Sequence, residues 1–197
     1  LSARQVRVDG SDRQNYQHFA IKAVNDKGLE DAASVDIDYD PSYQRLTLHT
    51  LAVHRQGQVT SRLASAQIRT LQRERELEAQ VLDGQLTVSI TLKDVRVGDV
   101  VEYAYTLQGS RPVLQGRQSG TFDMQWRSPL HALHARLLWP ADRPIRMAAT
   151  PGIPPAEERE FNGVREYVWR ARAVSGLKVN DQLPAWYDPY PYVQWTS

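Results

Sequence analysis

Hydrophobic and polar positions alternate with a period of two along most of this chain, and that period predicts strands rather than amphipathic helices. Residues 16–24 (YQHFAIKAV) read as a strand, Asn25-Asp26-Lys27-Gly28 as a Gly-ended turn, and residues 33–39 as a second strand. Asp40-Pro41-Ser42 breaks the run, because proline has no N–H to give to a ladder. Residues 46–54 resume it, and their apolar phase shifts between Leu48 and Leu51, the mark of a β-bulge. Arg55-Gln56-Gly57 turns the chain into residues 58–63, and residues 68–71 read as a further strand.

Residues 73–81 (RERELEAQV) depart from the period of two. No Gly or Pro interrupts them, and Leu77 and Val81 stand at i,i+4 among strong helix formers, which predicts a short helix ended by Asp83-Gly84. Its Arg/Glu pairs stabilise by only tenths of a kcal/mol each, so the charges read as a solvated face. Strands resume at residues 86–92. Gly98-Asp99 then turns the chain into residues 100–107, with Val101, Tyr103, Tyr105 and Leu107 on one face and Glu102 and Thr106 on the other. Residues 116–126 and 130–139 follow, the latter with Leu133, Leu137 and Trp139 on one side until Pro140 stops it. Met147, Ala149 and a link holding Pro151, Pro154 and Pro155 lead to Asn162-Gly163, the strongest hairpin signal, before residues 164–174. About a dozen short strands with one short helix predict an all-β sandwich, as one large sandwich or two stacked β-modules.

Composition narrows the function classes. Among 197 residues, 24 Lys and Arg face 23 Asp and Glu, and a net charge of +1 gives no basic footprint for nucleic acid. Zero Cys excludes a disulfide framework, a thiolate metal site and a thiol nucleophile within this chain. No apolar run approaches the ~20 residues of a membrane span. The opening LSARQVRVDG has neither an initiator Met nor an apolar signal core, as expected of an excised piece or a mature form.

The candidate chemistries thin out in the same way. Asp36-x-Asp38-x-Asp40 resembles the start of a calcium loop, but Pro41 and Thr47 stand where that loop needs Gly and a bidentate Glu. On a strand these carboxylates share one side while Val35, Ile37 and Tyr39 take the other, which is a solvated face. A strand likewise sends His131 and His134 to opposite faces, and His18, His49 and His54 show no partner pattern; no metal and no cofactor is expected. There is no GxSxG elbow, no HExxH and no Gly-rich phosphate loop. The most suggestive segment is the end, PAWYDPYPYVQWTS, residues 184–197. Its prolines favour extended backbone, and Trp186, Tyr187, Tyr190, Tyr192 and Trp195 need a surface to cover. Packing on the sandwich or against a following domain outweighs a sugar-stacking platform for these rings.

The run LKDVRVGDVVEYAYTLQGSRPVLQG (92–116) resembles the central motif of a bacterial domain of unknown function found N-terminal to transglutaminase-like domains. Residues 38–59, 71–92, 128–140 and the closing LPAWYDPYPYVQWTS extend the resemblance in the expected order. It implies an immunoglobulin-like β-sandwich over residues 1–183, with 184–197 leading to a following domain that carries a papain-like Cys-His-Asp core. It also implies a periplasmic or cell-envelope setting. No catalytic residue transfers to this chain. The matching motif residues Gly98, Asp99, Glu102 and Tyr103 are expected to be structural: Gly98 for a positive φ, Asp99 as a turn cap, Tyr103 for core area. The expected function is a non-catalytic accessory module that positions the following catalytic domain or its protein or peptide substrate. The alternative is a carbohydrate- or cell-wall-binding module that uses the terminal rings, and an independent hydrolase built on His131 or Glu102 ranks last.

Overall fold

The computed structural model describes residues 1–72, 84–179, 184 and 187–197. These residues form strands with one α-helix and a 3₁₀ turn at Pro112–Leu114, and they fall into two compact units, residues 16–109 and residues 1–15 with 110–197. The all-β, sandwich-like architecture expected from the alternation is what the chain adopts. The helix expected over 73–81 lies outside the described residues.

In the unit formed by residues 16–109, one sheet runs in the order β2 (Asp12–Lys22), β8 (Val100–Gln108), β4 (Arg45–Arg55), β5 (Gln58–Ser61). A second runs β3 (Ser34–Tyr39), β7 (Leu86–Thr91), β6 (Gln67–Gln72). Val35 and Ile37 of β3, Ile90 of β7, Leu51 and Val53 of β4, and Val101 and Tyr105 of β8 meet in one buried cluster. Each such side chain contributes ~1.5–3 kcal/mol on burial. The β4–β8 register slips between Leu48 and Thr50, where the apolar phase shifts in the sequence.

The turn expected at Asn25–Gly28 is instead the start of α1 (Asp26–Ala33). The Asn25 side chain accepts a hydrogen bond from the Gly28 N–H at 2.8 Å, an N-cap, and Asp26 adds a favourable charge in the first turn. Burial of Ala32, with Leu29 packed on the core, offsets the propensity cost of Gly28.

The other unit holds β1 (Ser2–Asp9), β10 (Leu130–Pro140), β13 (Val164–Val174) and β12 (Glu157–Phe161) in one sheet, with β9 (Ser119–Asp123), β14 (Tyr192–Thr196) and β11 (Arg146–Ala149) in another. β1 runs parallel to β10, with Val6 opposite Leu137. Its core joins Val6 and Val8, Leu137 and Trp139, Tyr167 and Trp169, Phe122, Val193 and Trp195. Asn162 and Gly163 both take positive φ, 48° and 74°, as a type I′ hairpin between β12 and β13 requires.

Candidate functional site

The Gly98-Asp99 turn is built as its residue types require. Gly98 sits at φ +99°, a backbone region that side chains resist, and its N–H donates to the Ala23 carbonyl at 2.7 Å. Asp99 is buried at 2% exposure and accepts from the Arg96 N–H at 2.8 Å, the local capping bond. It also accepts from Arg55 Nε at 2.9 Å and Nη2 at 2.7 Å, across 44 residues of sequence that no local pattern spans. Arg55 continues to the Asp94 carboxylate at 3.2 Å, and Arg96 pairs with Asp94 from the other side at 2.9 Å. The Arg55 fork holds the Asp99 carboxyl below its usual range against the opposing effect of burial. Arg96 and then Arg55 do the same for Asp94.

Three residues beyond Asp99, Glu102 faces away from the core and meets two histidines. His18 Nε2 on β2 lies 2.7 Å from one carboxylate oxygen, and His54 Nε2 on β4 lies 2.6 Å from the other. β8 runs between β2 and β4, so alternation alone brings the three side chains to one face. An ionised carboxylate only accepts, so each Nε2 carries a hydrogen toward it. The His54 contact, with His18 in support, holds Glu102 below the ordinary carboxylate range while desolvation works the other way. Beside them His49 Nε2 lies 2.7 Å from the Thr106 hydroxyl, and the Tyr16 ring approaches both His18 and His49. On the opposite face Tyr105 is buried and Tyr103 lies between it and Phe19.

This constellation holds one carboxylate between two imidazole N–H donors. Among the described residues neither imidazole makes a second hydrogen bond to a hydroxyl that would serve as nucleophile. No group of three or more His, Cys, Asp or Glu among them is disposed to hold a metal ion. His131 and His134 lie on β10, and burial followed by the charges of Arg170 and Arg136 lowers the His134 pKa. Asp38 accepts from the Thr87 hydroxyl at 2.6 Å, and Asp40 caps the turn through the Ser42 N–H at 3.0 Å.

Among the described residues the terminal aromatics have different surroundings. Trp186 lies outside the described residues. Tyr187 is half exposed, Tyr190 and Tyr192 are partly buried, and Trp195 is 1% exposed inside its own unit. The segment expected to run on as an interdomain strut becomes, from Tyr192, the middle strand of a three-stranded sheet. The Trp195 ring meets Trp139 edge-on at 5.7 Å and carries the Arg13 guanidinium at 5.1 Å, so it has no face left for a sugar. The physical reason is the period of two, which Val193 and Trp195 obey and the flanking prolines obscure.

With this geometry in place, comparison with known proteins gives a family. Residues 10–178 match the model of a domain of unknown function, DUF3857, and the chain belongs to that family. No curated protein matches it. The chain is similar in fold to the crystal structure of a "putative protease" from Parabacteroides distasonis, with a TM-score of 0.85 at 12% identity. The match covers 99% of this chain and 39% of that one, so the chain spans well under half of that protein's length. At this identity the likeness is one of fold alone. No helix among the described residues is long and apolar enough to cross a membrane.

Proposed function

We propose that this chain is a non-catalytic accessory module, a pair of immunoglobulin-like β-sandwiches that positions a following transglutaminase-like domain or its protein or peptide substrate. One observation carries this reading: the fold of the whole chain recurs in 39% of the length of the Parabacteroides distasonis protein, which leaves most of that protein for other work. The absence of Cys from the sequence supports it, since a papain-like reaction would take its thiolate from another domain. Burial of Trp195 in a core removes that ring from the alternative aromatic platform. A periplasmic or cell-envelope setting belongs to the same proposal and rests on the sequence resemblance.

The test compares two polypeptides. The purified chain should cleave no unfolded protein substrate, whereas the polypeptide including its native downstream sequence should do so and lose activity when residues 1–183 are deleted. Hydrolysis by the chain alone, or full activity after the deletion, would overturn the reading.

A further inference from the structure

The unit of residues 16–109 also holds a small polar pocket that strand register builds. β4 and β5 pair antiparallel with Val53 opposite Thr60 and Arg55 opposite Gln58. Just past β5 the Arg62 N–H donates to the Leu51 carbonyl at 2.7 Å, which continues the same register by one more step. Partners across a ladder share a side, and so do residues two apart, so Val53, Arg55, Gln58, Thr60 and Arg62 converge. Together with Gln56 they line a pocket of about 150 Å³. That is room for about five waters at their liquid volume, the size of one small polar group with some hydration.

Its two lining arginines are not in the same state. Arg55 and Arg96 are taken up by Asp94 and Asp99. Arg62 has no acidic partner among the described residues, and its Nε is buried without a hydrogen-bond partner. Arg62 is thus, among the described residues, the guanidinium beside this pocket without an acidic partner. The covered Nε is out of reach of the pocket, but the two terminal nitrogens of a guanidinium are shaped for a two-oxygen acceptor. Arg55, held rigid by its two aspartates, forms a fixed wall beside it. The Thr60 hydroxyl and the Gln58 amide add neutral donors.

We propose that this pocket binds a small oxyanion, a carboxylate or a phosphate group, with Arg62 as its counter-charge and Thr60 and Gln58 as neutral donors. The site is separate from the accessory role and stands or falls without it. The experiment is an amide NMR titration of the whole chain with sodium acetate and, separately, sodium phosphate, at constant ionic strength held by chloride. Saturable shifts confined to residues 53–62 are expected, and the anion that saturates at lower concentration identifies the ligand as carboxylate or phosphate. R62Q should weaken binding by about tenfold or more, and R62K, which keeps the charge and loses the fork, by less. Shifts that fail to saturate or scatter over the surface would overturn the site, and so would an R62Q affinity equal to that of the original chain. Should the R62Q spectrum show an unfolded protein, R62K decides alone, and an affinity unchanged by it sinks the proposal.

Discussion

Arg55 and Asp99 meet through a two-point contact, Nε at 2.9 Å and Nη2 at 2.7 Å, that ties the end of β4 to the turn before β8. The Asp99 side chain is 3% exposed and that of Arg55 28%, so solvent screens the pair only partly. Removing one member of a buried pair typically costs ~3–5 kcal/mol, because the other charge is stranded. Here Asp94 still serves Arg55, which reduces the loss. D99N should therefore lower stability by about 2 kcal/mol in chemical denaturation. An unchanged midpoint would show that the fork contributes nothing to the fold.

Glu102 gives the chain a defined acid response. Its folded pKa lies below the ordinary 4.5, chiefly through the hydrogen bond from His54 and then that from His18. A carboxyl depressed in the folded state stabilises fully above its unfolded value, and that stability is lost as pH falls through the folded one. The Glu102 share is thus complete above about pH 4.5 and disappears below it. E102Q should lose about 1 kcal/mol at pH 7 and should show a shallower fall in melting temperature between pH 5 and pH 3, as about one carboxylate no longer titrates. Parallel melting curves for E102Q and the original chain would rule out the two-histidine clamp as the source.

Gly98 is constrained by its backbone and not by space. Its φ is +99°, yet a Cβ added there would meet nothing within 4 Å. Strain should then follow the shape of the new side chain: about 1 kcal/mol for G98A and ~2–3 for the β-branched G98V. Calorimetry of the two variants checks the order. Equal losses would point to a hidden clash instead.

Local features of this fold were legible and distant ones were not. Asn162-Gly163 and the phase shift after Leu48 announce a hairpin and a bulge through residues next to each other in sequence, and both occur there. The α1 helix was hidden because Gly28 reads as a turn former while its effect as the residue bonded by the Asn25 cap carries no spacing signal. β1 is hard to read because its partner β10 lies more than a hundred residues away and polar Ser2 and Arg4 share the inward positions with Val6 and Val8. The site followed the same rule. The face that Glu102 occupies was readable from residues 100–107, but His18 is 84 residues before it and His54 is 48. Only the β2–β8–β4 strand order brings the three together.

Trp195 and Gly120 settle what residues 192–197 do for the fold. The two residues are paired across β14 and β9, and a Cβ on Gly120 would run into the Trp195 indole. Glycine is therefore the residue that lets the ring lie flat on the neighbouring strand. G120A should cost ~1–3 kcal/mol by overpacking, and W195A ~3–5 by the cavity it leaves beside Trp139. Truncation after Pro191 goes further: it removes the strand between β11 and β9, leaving both without a partner and uncovering Phe122. The truncated chain should lose the near-UV signal of its packed tryptophans and melt well below the full one. A strut that only reached toward another domain could be cut without that loss, so an unchanged melting temperature would return the segment to that role.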